Sequence, residues 1–382
     1  MAAEQISQVA GAARTATDVV LRDSQYMREN LAEELDRMAG QNLLITGGGG
    51  FLGYYLVHAI LHHNRTCDPI QIIQLTVFEN GARGFPAWLA ALDGEAGIRV
   101  INRDITEPLP ADMPAFQFIV HAAGIASPIY YRAHPIETMD ANIVGLRNLL
   151  DYCRKASESE SPVKGLLFFS SSEIYGDPDS AHIPTPESYR GNVSCTGPRA
   201  CYDESKRYGE TLCVNFARHY GLPVKIARPF NNYGPGLKIT DRRVLPDLAR
   251  DVLAGRDIVL LSDGSPRRTF CYVADAVIGY YKILVKGRPG EAYNVGVEEP
   301  EISMADLARE LRDVAKELFG YHGKVVLGNS NDPDYLTDNP QHRCPVIAKA
   351  RQELGYAPSV SLRDGLTRLL LWYAENRTSE EA

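Results

Sequence analysis

A chain of 382 residues, 45% apolar and 23% charged, has the makeup of a globular enzyme-sized protein, long enough for one large α/β unit and an appended second domain. Its formal charge of -8 argues against general nucleic-acid binding, which wants a basic face. No run approaches the roughly 18 apolar residues that a membrane span requires, so neither nucleic acid nor membrane is an expected partner. The cysteines at 67, 153, 195, 201, 213, 271 and 344 are scattered without a C-x-x-C pair, which argues against a metal site or a disulfide framework. Together with the absence of a secretory pattern at the start, this fits a reducing cytoplasm.

Residues 1–40 stand apart as a helical N-terminal extension. From Thr17 onward Val20, Met27, Leu31, Leu35 and Met38 suit one helical face, either packed on the main body or on a second subunit, with a mobile tail as the alternative. The pattern changes at Gln41. Asn42 to Thr46 reads as a short buried strand, and Phe51 to His63 as a helix after a glycine cluster. Ile70 to Phe78, Ile98 to Asn102 and Phe116 to His121 read as further strands. Ile136 to Ala156 has helical periodicity, Gly165 to Ser170 is strand-like, Arg199 to Tyr220 is a long helix and Val224 to Ala227 a strand. Alternating strands and helices predict a doubly wound parallel sheet over 41–230. Helices at Leu245 to Ala254, Ser303 to Leu318 and Leu362 to Ala374 predict a smaller α/β substrate domain from 231–269 and 299–382. Residues 270–298 are expected to return to the first domain.

Gly47, Gly50 and Gly53 form G-x-x-G-x-x-G between a predicted strand and a predicted helix. A tight turn needs glycine freedom, a pyrophosphate needs close backbone approach, and a helix N-terminus stabilises its charge. The turn, with Phe51 and Leu52, therefore predicts a Rossmann-type dinucleotide site. Glu79 ends the second strand about 26 residues beyond Gly53, where an acidic residue holds the adenosine ribose and favours NAD over NADP; the alternative is a solvated strand-end carboxylate. Asp104 and Ile105 follow the third strand, near the adenine. Ala122 and Ala123 follow the fourth, small enough for backbone to run against the cofactor.

Tyr202 and Lys206 are spaced i, i+4 on a predicted helix, one face carrying phenol and ammonium. A nearby ammonium lowers a phenol's pKa, so Tyr202 is expected to take a proton from a sugar hydroxyl while hydride leaves for nicotinamide. The strand end Phe169-Ser170-Ser171-Ser172-Glu173-Ile174-Tyr175-Gly176 supplies hydroxyls to complete a Ser/Tyr/Lys triad, Ser171 first by position and Ser172 beside it. Glu173 is either a surface carboxylate or a second acid/base at the reaction centre.

These residues together carry a resemblance. From about Asn42 to Tyr373 the chain resembles the extended short-chain dehydrogenases that act on nucleotide sugars, and within them the UDP-glucuronic acid decarboxylase subfamily. Gly197 to Arg207 looks like that subfamily's G-P-R-A-C-Y-D-E-G-K-R, with Ser205 in place of Gly. Ser170 to Gly176 looks like its S-T-S-E-V-Y-G. Ala126-Ser127-Pro128 with Tyr131 looks like its substrate-side loop, and Asp338 to Arg343 like its D-D-P-x-x-R segment. The resemblance implies a UDP-sugar substrate, bound NAD, a homodimer pairing the helices at 136–156 and 199–220, and a redox-neutral decarboxylation. It implies further that Glu173 and Arg268 serve the decarboxylation half, that Arg243 and Arg343 meet the diphosphate, and that Asn231 meets the first phosphates. Arg268 on its own also admits a pyrophosphate-binding or surface role. The competing expectations are a nucleotide-sugar 4,6-dehydratase, which wants an Asp where Ser172 stands, a 4-epimerase, and a redox-inactive NAD-binding regulator on the same fold.

Overall fold

Alternate side chains of a strand face opposite ways, so Asn42–Thr46 has to serve two cores at once. The computed structural model describes residues 13–380 apart from 96, 111–112, 329, 331–336 and 338. In it, Leu43 and Ile45 enter one core and Leu44 the other. This strand, β1, lies in a seven-stranded sheet with β2 (Gln74–Glu79), β3 (Ile98–Asn102), β4 (Phe118–His121), β5 (Gly165–Phe169), β6 (Val224–Pro229) and β7 (Ala292–Val295). The order is β7-β6-β5-β4-β1-β2-β3, and every pairing is parallel. The chain runs outward from β1 to β3 and then returns to β4 on the other side. That reversal opens a crevice at the carboxyl ends of β1 and β4, where ligands of doubly wound sheets bind.

Helices cover both faces. The N-terminal α1 (Ala16–Asn30) and α2 (Ala32–Met38) share one layer with α3 (Phe51–Thr66), whose Leu56 and Ile60 pack beside Ile45. The opposite layer holds α4 (Leu146–Ala156) and α5 (Ala200–Tyr220), which send Leu149, Cys153, Cys213 and Phe216 against Ile119 and Phe168. Each fully buried aliphatic or aromatic side chain contributes on the order of 1.5–3 kcal/mol. Beyond β6 the chain forms α6 (Val244–Leu253). It re-enters the sheet through α7 (Val273–Lys286) and β7, then finishes with α8 (Met304–Phe319) and α9 (Leu362–Glu380). Three small sheets complete the described structure, the first pairing Asn232–Tyr233 with Cys271–Tyr272. Arg267–Arg268 lies between Ile302–Ser303 and His342–Arg343, and Ile258–Leu260 pairs with Val325–Leu327.

The N-terminal extension is docked on the body through its described part, residues 13–40; residues 1–12 lie outside the described residues. Thr15 and Asp18 cap α1 reciprocally, each side chain accepting the other's backbone N–H at 3.1 Å. Met27, Leu31, Leu35 and Met38 are buried in the main core. Asp23 is fully buried and accepts the hydroxyls of Tyr55 and Tyr272 while pairing with Arg368 of α9.

Two predicted elements differ in the structure. The strand expected over 70–78 starts only at Gln74, because Pro69 opens a short 3-10 turn that leaves Ile70 87% exposed. The helix expected over 136–156 runs without interruption from Pro135 to Ala156 but widens into a π turn at Ala141–Gly145 ahead of α4. Gly145 sits where a Cβ would come within 2.7 Å of Ile105, so its absence lets the widened turn press against the strand-end loop.

Candidate active site

The crevice opens into a cavity of about 1030 Å³ that runs from the glycine turn into the second region. Every residue singled out above as catalytic, cofactor-binding or substrate-binding lines it.

The glycine turn is a cradle that side chains would fill. Gly47 has φ of +73°, and a Cβ there would lie 2.5 Å from the Ala123 backbone. At Gly53 a Cβ would meet the Gly48 carbonyl at 2.4 Å. Gly50 begins α3 with no side-chain cap, leaving the helix N-terminus open to an anion. Glu79 accepts the backbone N–H groups of Gly49 and Gly81, each at 2.9 Å, which aims its carboxylate across the turn. Asp104 is held by Asn80 and by both donors of Thr106, with Ile105 packed beside it. These residues fit a dinucleotide, with the pyrophosphate on the turn and the adenosine toward Glu79 and Asp104.

Tyr202 and Lys206 lie on the first turns of α5, both buried, with the Ser171 hydroxyl near enough to the Tyr202 phenol to act on its ionisation. Ser171 also accepts the Glu173 N–H at 3.2 Å, and Ser172 starts the single 3-10 turn that follows. The ammonium of Lys206 donates to the Phe169 carbonyl at 2.8 Å. The sequence-based expectation that this ammonium lowers the phenol pKa is corrected. Burial pushes Tyr202 up to about 12, opposed first by the Ser171 hydroxyl. Burial likewise brings Lys206 down to about 7. The dry surroundings that make the pair reactive also disfavour both charged forms, so ionising the phenol calls for a further positive charge beside it.

Glu173 is no surface carboxylate. Its two oxygens accept from the two terminal nitrogens of Arg343 at 2.6 Å each, and Arg199 Nη2 lies 2.5 Å from Oε2. Burial alone would raise its pKa, but the Arg199 and Arg343 guanidiniums prevail and hold the carboxyl well below its ordinary range. Arg343, expected at a diphosphate, is thus committed to Glu173, and the Nη1 that serves Glu173 also donates to the Asn231 side-chain oxygen at 3.5 Å. Asn231 holds a φ of +41° at the end of β6 and donates to the Thr269 carbonyl. Arg268 donates to the carbonyls of Arg267, Gln341 and Pro340 and to the Asn339 side chain, so its guanidinium fastens the 339–343 segment. Asp338 of that motif lies outside the described residues.

The other substrate-side residues are braced from behind. Ser127 turns its hydroxyl to the Asp241 carbonyl at 2.9 Å, because the loop is packed against 241–243 and the side chain is fully buried. Arg243 pairs with Asp241 and lies over the Phe51 ring. Asp241 also holds Arg83 at 3.1 Å, and Arg83 stacks on Tyr130. Tyr131 stacks on Tyr202 with ring centroids 5.1 Å apart.

Three residues of this site were missed by sequence reasoning as functional positions. Arg199 stands three residues before Tyr202 within the Gly197 to Arg207 stretch, and its match to that motif was its signal. Asp241 and Asn142 gave none. Asn142, on the π turn, donates to the Ser205 hydroxyl at 2.9 Å, and Ser205 in turn donates to the Tyr202 carbonyl.

Residues 43–296 match the family model described as NAD dependent epimerase/dehydratase family. UDP-glucuronic acid decarboxylase 3 of Arabidopsis thaliana is 34% identical over 91% of this chain and 90% of its own. UDP-glucuronic acid decarboxylase 1 of Xenopus tropicalis is 32% identical over 91% and 75%. Among solved structures, DesIV, a dTDP-glucose 4,6-dehydratase from Streptomyces venezuelae with NAD bound, superposes with a TM-score of 0.74 at 27% identity, covering 89% of this chain and 98% of that one. A UDP-glucose 4-epimerase from Thermotoga maritima shares the fold at a TM-score of 0.72 and 23% identity, covering 88% and 99%.

Proposed function

The chain belongs to the NAD dependent epimerase/dehydratase family, and from that premise we propose that it decarboxylates UDP-glucuronic acid to UDP-xylose in a redox-neutral cycle. NAD⁺ held by the Gly47–Gly53 turn, Glu79 and Asp104 would supply a reversible hydride acceptor for sugar carbon C4. Tyr202 Oη takes the proton of the C4 hydroxyl as that carbon becomes a ketone, and Ser171 orients the same oxygen. The ketone is then β to the C6 carboxylate. The C5–C6 bond breaks, CO₂ leaves, and its electron pair enters an enolate whose oxygen faces the Ser171 and Tyr202 hydroxyls. C5 gains a proton, and Tyr202 returns its own proton to the oxygen on C4 as that carbon is reduced.

The observation that carries this reading is Glu173 held ionised among guanidinium groups beside Tyr202. A 4,6-dehydratase needs an acid that protonates the departing C6 hydroxyl. Ser172 stands where that acid is expected, and Glu173 has no proton to give. A neutral hexose also gives the arginines around Glu173 nothing to bind. Incubation with UDP-glucuronic acid is expected to yield a UDP-pentose. A 4-keto-6-deoxy product from thymidine-diphosphate glucose, with UDP-glucuronic acid untouched, contradicts the proposal.

The working unit in this reading is a homodimer in the cytoplasm. Outward-facing Tyr208 and Tyr220 on α5 are 50% and 45% exposed, which supports pairing through α4 and α5. All seven cysteines are free, in keeping with a reducing compartment, and no described helix is long and apolar enough to cross a membrane. Sedimentation at the monomer mass contradicts the dimer, and fractionation with a secreted marker contradicts the location.

A further inference from the structure

A cycle that ends by reducing the carbon it first oxidised has to hold its dinucleotide between the two hydride transfers. If NADH leaves after CO₂ has gone, the C4 ketone stays unreduced. One side chain reaches over the cavity from the cofactor side. Arg83 stands four residues beyond Glu79 in the loop after β2, and it lines the same cavity as Asp241 of the second region. Its Nη1 pairs with the Asp241 carboxylate at 3.1 Å, across 158 positions of chain. Lys238, on the same turn as Asp241, donates to the Arg83 carbonyl at 3.0 Å. The guanidinium carbon lies 4.1 Å from the centre of the Tyr130 ring, on the substrate-side loop. The arginine thus joins the cofactor-side loop to two segments of the substrate side, and with its side chain 29% exposed it does so at the cavity's edge.

The two ends of this contact are held differently. Asp241 is 1% exposed, pairs with Arg243 as well, and its carbonyl accepts the Ser127 hydroxyl. The Leu237 carbonyl of the same segment accepts the Tyr373 hydroxyl of α9 at 2.7 Å, which fastens the turn from behind. The Arg83 loop has no such backing. Ala82 and Phe85 are exposed, and Gly81 and Gly84 flank the arginine with φ of +69° and +84°. A Cβ at Gly84 would meet nothing within 4 Å. A short loop with a glycine on each side of one arginine can swing, and the ion pair to Asp241 is what draws it shut.

The guanidinium is also incompletely matched. Its Nε and Nη2 are buried without a hydrogen-bond partner among the described residues. Buried N–H donors in a ligand cavity are costly until a ligand oxygen accepts from them. On the Glu79 side of the cavity the anion within the dinucleotide is its diphosphate, and a planar guanidinium suits phosphate oxygens.

We propose that Arg83 and Asp241 form a latch over the bound dinucleotide, with Nη1 closed on Asp241 and the two unmatched nitrogens given to the dinucleotide's diphosphate. The latch retains NADH until C4 is reduced. The assignment builds on the redox cycle proposed above, but NADH release is measurable with no sugar present.

Displacement of NADH from the loaded enzyme by excess NAD⁺, followed by NADH fluorescence, tests it. Arg83→Met is expected to release NADH about tenfold or more faster than wild type, while affinity for UDP changes by no more than about twofold. Tyr130→Leu, which removes only the ring against the guanidinium, should speed release by a smaller factor, and Arg83→Lys should restore part of the retention. Arg83→Met combined with Asp241→Asn should release NADH no faster than the faster single variant. Given UDP-glucuronic acid, Arg83→Met should shed free NADH and a UDP-4-keto-pentose. Unchanged release in Arg83→Met, or strictly additive effects of the Arg83 and Asp241 changes, overturns the latch. Equal weakening for UDP and NADH also overturns it, because the unmatched nitrogens then serve the nucleotide sugar. An enzyme that retains NADH through Arg83 yet leaves UDP-glucuronic acid unchanged keeps the latch and loses the decarboxylase reading.

Discussion

Glu173 and Arg343 meet as a fork, two oxygens on two nitrogens at 2.6 Å, although 170 positions separate them in the chain. Glu173 belongs to the turn after β5 and Arg343 to a two-residue strand of the second region, so the fork joins the two regions across the cavity. Arg343→Met leaves a buried carboxylate short of its main partner. A stability loss of about 3–5 kcal/mol is expected by urea unfolding. The double variant Arg343→Met with Glu173→Gln should recover much of that loss, and strict additivity of the two changes contradicts the coupling.

The same carboxyl fixes a dependence on acid. Its pKa in the folded chain is depressed from 4.5 to about 2, with the arginines outweighing burial. A depressed carboxylate stabilises the fold above its unfolded pKa and loses that contribution as pH falls through the folded value. The stability advantage of wild type over Glu173→Gln should therefore be full above about pH 5 and shrink as pH falls toward 2. An advantage that grows on acidification contradicts this sign.

Tyr202→Phe removes the proton carrier but keeps the ring that stacks on Tyr131. Turnover should fall by about 10²–10⁴-fold or more, with NAD still bound as measured by fluorescence quenching. Unchanged turnover removes Tyr202 from the mechanism.

Gly47→Ala meets two obstacles at once, a φ of +73° and a Cβ within 2.5 Å of Ala123. Loss of NAD affinity by at least tenfold is expected in calorimetry, through displacement of the turn from the Ala122–Ala123 backbone. Wild-type affinity in this variant contradicts the placement of the pyrophosphate.

Arg368→Met strands the buried Asp23 far from the cavity. Urea unfolding should register a loss of about 3–5 kcal/mol, while kcat per folded molecule holds. A variant as stable as wild type removes the ion pair from the account of how α1 is anchored.

What the sequence revealed and what it hid follow one physical division. The glycine turn and the Tyr202–Lys206 pair obey spacings of a few residues within one element, so their pattern is visible before folding. The sheet was legible for the same reason, because the short apolar runs of β1 and β5, buried on both faces, are written in neighbouring residues. Orientation across the cavity was not. Arg343 and Arg268 share a two-strand pairing, yet one turns to Glu173 and the other to backbone carbonyls. Only the fold brings those partners within reach. Ser205, a departure from glycine in the motif it resembles, is absorbed by Asn142, whose position depends on a π turn that helical periodicity does not signal.

The most direct measurement follows isotopes through one turnover. UDP-glucuronic acid carrying ¹³C at C6 and deuterium at C4 is incubated with the NAD-loaded enzyme in ordinary water. The account predicts ¹³CO₂ and UDP-xylose in equal amounts, with the deuterium still on C4 and no NADH accumulating. Carbon retained in the nucleotide sugar, or a product that has lost the C4 deuterium to solvent, contradicts it.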